Sequence, residues 1–175
     1  MTLPSSGSIS AGQIKDEFFE RYPNNPFDIN NYRGLGYPPP KIASSGPIKF
    51  SDFYGKSYRQ NIFLNFVGST NNVNIYNYAS SAFTPGIPAT IIVTINPGVV
   101  IGSNSTGSYA LTIPSGPYPT DGVINSGIVI YNYGYIAGAG GNGGSGNCGD
   151  GGGASGSNGG NAILCQYTTT IYNYG

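Results

Sequence analysis

The chain has no histidine and no tryptophan, two cysteines, and charge on only 8% of its 175 residues. Average globular proteins carry roughly 25% charged residues. Each shortage removes a class of function. Without histidine a Ser-His-Asp triad cannot be assembled, and acid–base work would need a carboxylate pair. A histidine-built zinc site is excluded as well, and Cys148 and Cys165 lack CxxC spacing. These two read as free thiols, with a disulfide between them as the other option. No apolar run approaches the roughly 20 residues of a membrane span. The opening "MTLPSSGSIS" has no basic and no apolar stretch, so no secretory signal is expected there. Net charge is zero, and with no basic excess to meet phosphates, no nucleic-acid partner is expected.

What charge there is sits at one end. All seven basic residues (Lys15, Arg21, Arg33, Lys41, Lys49, Lys56, Arg59) lie in the first 59 positions, with five of the seven acids, Asp16, Glu17, Glu20, Asp28 and Asp52. Only Asp121 and Asp150 follow. The shift marks a boundary near Arg59 and Gln60. Asp16, Glu17 and Glu20 beside Lys15 and Arg21 have the look of a solvated helix face, and Asp121 and Asp150 stand alone. No catalytic residue, metal or cofactor is expected, and the chain is read as a non-enzyme.

The first 59 residues hold an echo. "SSGSISAGQI" (Ser5 to Ile14) aligns with "SSGPIKFSDF" (Ser44 to Phe53). Each predicts a turn at the glycine, an extended contact at Ile9 or Ile48, then a short helix. The first helix is expected over Ala11 to Glu20 with Ile14 and Phe18 on one face. The second is expected to be capped by Ser51 and stopped by Gly55. Between them "YPNNPFDINNYRGLGYPPP" is too rich in Pro, Asn and Gly for a regular element. Such a segment is marginal alone and is expected to dock on something else.

From Asn61 the apolar period changes to two. "NIFLNFV", "NVNIYNYAS", "ATIIVTINPG", "GVVIGSNSTG", "SYALTIPSG" and "DGVINSGIVIYNYG" read as strands between Gly, Pro and Asn turns. Near-regular spacing predicts a β-sandwich or small barrel, with Ile91, Val93, Ile95, Val99 and Ile101 in its core. Tyr76, Tyr78, Tyr131, Tyr133, Tyr135, Tyr172 and Tyr174 alternate along strand-like segments. They suit either a buried interface or a recognition surface.

"YGYIAGAGGNGGSGNCGDGGGASGSNGGNAI" (Tyr133 to Ile163) is the densest stretch of glycine. "GAGGNG" (Gly138 to Gly143) fits G-x-G-x-x-G, but no helix pattern and no acid follow at the needed distance, so a dinucleotide site is not expected. "NST" at Asn104 reads as a polar turn. Glycines at 140, 143, 146, 149 and 152, then at 153, 156 and 159, keep a period of three. That is the polyproline II repeat. An ordered bundle of such strands and a flexible linker remain the two readings of the pattern. The tetrapeptide "IYNY" occurs at Ile75, Ile130 and Ile171, and the last two copies run into glycine. Strand, glycine run and strand then form one repeat unit, expected to continue beyond residue 175.

"LPSSGSISAGQIKDEF" and "SSGPIKFSDFYGKS" resemble the N-terminal segments of bacteriophage tail-fibre and minor tail proteins. "TIIVTINPGVVIGSNSTGSYAL" resembles the β-rich module that follows them, and "GVINSGIVIYNYGYIAGAGGNGG" with "GGNAI" and "TTTIYNYG" resembles their glycine-rich, adhesin-like part. The resemblance implies a mainly β chain in three parts. These are a small irregular attachment segment with short helices (1–59), a β-sandwich module (60–127) and a strand plus glycine-rich polyproline II-like region (128–175). It implies a structural virion protein of the tail, made in the host cytoplasm, that docks on the baseplate through its N-terminus. Its partners would be other tail or baseplate proteins, its own copies in a homotrimer, and a host-surface receptor. Attachment would fall to Ile9, Ile14, Phe18, Ile48, Phe53 and Tyr54. The alternative is a free-standing, lectin-like carbohydrate-binding module.

Overall fold

A computed structural model of the chain describes residues 2–19, 21–22, 27–38, 40–120, 125–146 and 152–175. The chain divides into two compact units. One combines Met1–Ile62 with Ala82–Thr90 and Tyr118–Ser126, and the other combines Phe63–Ser81, Ile91–Pro117 and Gly127–Gly175. The charge boundary at Arg59 lies near the end of the first unit's opening segment. Two later segments return to that unit, which a census of charge along the chain cannot register.

In the first unit the echo becomes two matching structural steps. Gly7 and Gly46 both take positive φ, 89° and 80°, with open space where a Cβ would stand. Ile9 and Ile48 follow, half-buried against one core. Ser10 then caps helix α1 (Ala11–Glu17): its Oγ accepts the Gln13 N–H at 3.1 Å, and Gln13 Oε1 accepts the Ser10 N–H at 2.8 Å. The helix stops three residues short of the expected Glu20, because Phe18 leaves helical geometry. In the second copy the cap is Lys49, not Ser51. Asp52 Oδ2 accepts the Lys49 N–H at 2.8 Å and opens a 3-10 turn, Phe50–Phe53. Ile14 and Phe53 occupy equivalent positions of the two copies and both are fully buried.

Phe18 is the hub of this core. Its ring lies 5.2 Å from Tyr32, 5.9 Å from Tyr58 and 6.3 Å from Phe53, centroid to centroid. Tilted and edge-on aromatic pairs of this kind add to the stabilisation from area burial. Glu17 departs from the expected solvated face. Its Oε1 accepts from Ser57 Oγ at 2.8 Å and from the Tyr58 N–H at 2.9 Å, tying α1 to the far end of the segment. Asp16 is exposed, while Glu20, Asp121 and Asp150 lie outside the described residues.

Among the described residues the strands fall in three sheets. They are β1 (Gln60–Phe66), β2 (Thr70–Asn71), β3 (Val73–Asn74), β4 (Ala89–Ile95), β5 (Val100–Gly102), β6 (Leu111–Ile113), β7 (Gly127–Asn132), β8 (Tyr135–Ala137), β9 (Ile163–Cys165) and β10 (Thr169–Asn173). The sheet orders are β1-β4-β7-β10, β2-β5-β8 and β3-β6-β9. Every third strand is therefore a neighbour, and the pairs β2–β5, β5–β8, β3–β6, β6–β9 and β7–β10 are all parallel. This is a three-faced parallel solenoid: each turn of chain lays one strand on each face, and β10 begins a fourth turn.

A mainly β chain was expected and is found, but the expected sandwich gives way to this solenoid. Alternation specifies which side chains face inward and is silent on strand direction. Ile91, Val93, Ile95 and Ile101 are fully buried, as expected, and Val99 is buried. The Asn96-Pro97-Gly98 turn decides the topology. The Val99 N–H bonds to the Asn96 carbonyl at 3.1 Å, and Gly98 takes φ 77°. The turn is a corner between faces, because β5 pairs with β2 and β8 rather than folding back on β4.

The first "IYNY" copy is also not a strand. Ile75–Ala79 forms helix α2, capped by Asn74, whose side chain accepts the Asn77 N–H at 3.3 Å. Ile75 and Ala79 stand four residues apart and are both fully buried. At the same offset the later copies have Gly134 and Gly175, which supply no side chain for a helical face.

Candidate functional site: the glycine hairpin and the tyrosine ladder

Between β8 and β9 the glycine run leaves the solenoid and returns as two exposed arms, 138–146 and 152–160. Three backbone bonds join them. The Gly160 N–H donates to Ala139 O at 2.8 Å, the Ser157 N–H to Asn142 O at 2.9 Å, and the Ala154 N–H to Ser145 O at 3.1 Å. Each step is three residues on both arms. Ser157 Oγ also accepts the Asn142 N–H at 2.7 Å, closing the central rung from both sides. The run is a built element and not a slack connection.

The arms lie so close that side chains are forbidden at one phase of the repeat. A Cβ on Gly138, Gly141 or Gly144 would collide with the carbonyl oxygen of Gly160, Ser157 or Ala154. From the other arm, a Cβ on Gly153 or Gly156 would sit 2.8 Å from Ser145 O or Asn142 O, and one on Gly159 would sit 3.1 Å from Ala139 O. The second set matches the expected edge. The first does not: Gly140, Gly143, Gly146 and Gly152, expected on the packed edge, face open space. Gly149 lies outside the described residues. Glycine fills two phases of the first arm, so counting glycines cannot tell which phase faces the other arm. Gly160 adds a second close approach, since a Cβ there would meet Thr106 Cα at 2.8 Å. The "NST" segment forms the turn that was expected and serves as the base on which the hairpin rests.

The two remaining copies of "IYNY" stack in register. Ile130, Tyr131 and Asn132 of β7 pair with Ile171, Tyr172 and Asn173 of β10. Tyr131 and Tyr172 stack at 5.2 Å and 11°, and Tyr133 and Tyr174 at 4.9 Å and 12°. Tyr172, Tyr174 and Tyr135 are exposed, the last two at 60%. The exposed rings of the ladder are surface and not core. A recess of about 400 Å³ opens next to it, lined by Asn132, Tyr135, Ile163, Ile171 and Asn173 among others. Cys165 is a free, exposed thiol whose Sγ lies 3.2 Å from Tyr167 O. Cys148 lies outside the described residues.

The residues expected to mediate attachment are gathered in the first unit, but mostly inside it. Ile14, Phe18 and Phe53 are fully buried, and Ile9 and Ile48 pack half-buried against them. Tyr54 is half-buried and its hydroxyl donates to the Gly7 carbonyl. Ile14, Phe18 and Phe53, being buried, offer a partner no surface, whereas Ile9, Ile48 and Tyr54 keep part of theirs. Among the described residues, no helix is long and apolar enough to cross a membrane.

A family model described as the phage tail fibre adhesin Gp38 matches residues 61–175, the greater part of the chain. No curated protein and no solved structure matches.

Proposed function

The chain belongs to the phage tail fibre adhesin family Gp38, and we propose that it fastens to the particle through its first unit and meets a host-surface receptor through the hairpin and tyrosine ladder. It is a component of the phage tail fibre. The observation that carries the division of labour is the contrast between the units. The first holds every basic residue and its own aromatic core. The region matched to the adhesin family has almost no charge and displays Tyr, Asn, Ser and Gly. That composition favours adaptable recognition.

The arms of the hairpin run as polyproline II strands, supported by the rung at every third residue. The chain binds and does not catalyse, supported by the absence of histidine. It works against other tail or baseplate proteins and as a homotrimer. Exposed Phe63 and Val67, the latter at 74%, supply apolar surface that neighbouring copies would cover.

Electron microscopy of intact particles tests the polarity. A hexahistidine tag before Thr2 can be marked with nickel-gold, with untagged particles setting the background; the chain itself adds none, having no histidine. An antibody to the glycine run marks the other end. Gold at the tail and antibody at the distal tip are expected, and the reverse order overturns the reading.

A further inference from the structure

A cleft of about 460 Å³ in the first unit is walled by Pro40, Pro47 and Tyr54 and carries Lys41, Lys49 and Lys56. The carboxylate lining it is that of Asp52, which accepts the Lys49 N–H at 2.8 Å and keeps its charge, so the three lysines leave the lining with an excess of positive charge. Lys56 is fixed in position. Its Nζ donates to the Pro38 carbonyl at 2.8 Å. Its stem lies over the bare face of Gly36, where a Cβ would stand 3.4 Å from Lys56 Cδ. An ammonium carries three donors and no acceptor, so two remain for an incoming group. Lys41 and Lys49 are exposed. Other cations of the unit are engaged by its own backbone: Arg33 bonds Ala43 O and Gly46 O, and Arg59 bonds Asn125 O. A concave surface with three ammonium groups against one carboxylate attracts negative charge.

We propose that this cleft seats carboxylate side chains of an acidic segment on the tail protein to which the chain attaches. The inference rests on the first unit being the attachment end. The walls favour a peptide: Pro40 and Pro47 are rigid apolar surfaces, and the Tyr54 hydroxyl is taken by Gly7 O, which leaves its ring for packing. The lysines supply the charge, and the walls cover the aliphatic stem of the incoming residue.

Titration of the 15N-labelled full chain with hexaglutamate is expected to move the amide signals of Lys41, Lys49, Ser51 and Lys56. Hexaglutamine is expected to leave them in place, and salt to reverse the shift. No shift with hexaglutamate overturns the proposal. So does an equal response to inorganic phosphate, which would make the cleft a general anion site. In particles, Lys41→Glu with Lys49→Glu should cut incorporation roughly tenfold or more with the melting temperature unchanged, while Lys15→Glu, outside the cleft, should not. Normal incorporation of the double variant, with gold still found at the tail, sinks the cleft and leaves the attachment reading standing. Gold at the distal tip sinks both.

Discussion

Asn132 and Asn173 face each other across the parallel strands β7 and β10, with Asn132 Nδ2 donating to Asn173 Oδ1 at 2.6 Å. The same Asn132 accepts the Gly134 N–H on its Oδ1 at 3.2 Å and the Tyr174 N–H on its carbonyl at 2.7 Å. One amide, 5% exposed, thus joins two copies of a tetrapeptide and the corner that follows. Asn132→Ala should destabilise the solenoid by roughly 1–3 kcal/mol, the usual penalty for stranding buried polar groups. Asn173→Ala, at the exposed edge, should cost less. Urea unfolding of both variants measures this, and equal costs would contradict the ladder.

The hairpin predicts an asymmetry between adjacent glycines. Gly141→Val drives a side chain into Ser157 O, while Gly140→Val points into solvent. The first should abolish hydrogen-exchange protection of the Ser157 and Gly160 amides, and the second should preserve it. Ser145→Val, at an exposed position, should behave like the second. Matching exchange profiles in all three variants would mean that the arms are not held together.

The second solenoid turn should depend on the inward side chains of β4. Ile91→Ala should cost about 2–5 kcal/mol. Val93 loses fewer atoms, so Val93→Ala belongs near or below the lower end of that range. Val93→Asp should remove cooperative unfolding, and an unaltered melting temperature would mean that the strand is misplaced.

Alkaline pH should weaken the first unit. Burial, with Tyr22 and Asp28 adding to it, raises the Tyr32 phenol above its ordinary pKa of 10.0. The unfolded phenol ionises near 10 while the folded one resists. Its contribution is therefore complete below that pH and lost as pH rises past it. Tyr32→Phe should flatten the stability profile above about pH 10, and an unchanged profile would remove Tyr32 as the cause.

The echo and the strand interiors were legible because they rest on local chemistry. Positive φ at Gly7 and Gly46 and burial at Ile91 follow from neighbouring residues. Strand partners were not legible, since β5 meets β2 and β8 from 31 and 35 residues away (Ile101 against Thr70, Tyr135 against Val100). The helix at Ile75 carries a local signal: Ala79 stands where the strand copies have glycine. The phase of the hairpin had one too. Positions 138, 141, 144, 153, 156 and 159 are all glycine and fall in one phase of a count of threes, with Asn147 and Asp150 at the two steps between the arms. The surplus glycines at 140, 143 and 146 obscured it. The lysine cleft lay beyond sequence reasoning, because Lys41, Lys49 and Lys56 are spread over sixteen residues and line one cleft only in the folded unit.

A rung every third residue also sets the grammar by which this loop can change length. Adding or deleting a single codon in one arm would turn a forbidden phase inward and place a side chain against a carbonyl. The changes that keep the arms zipped are matched triplets, nine nucleotides in each arm, or any alteration confined to the crossing between them. Natural variants of this hairpin should therefore differ in quantised lengths. Their diversity should be written in the two outward phases, where selection for a new host can act without cost to the scaffold.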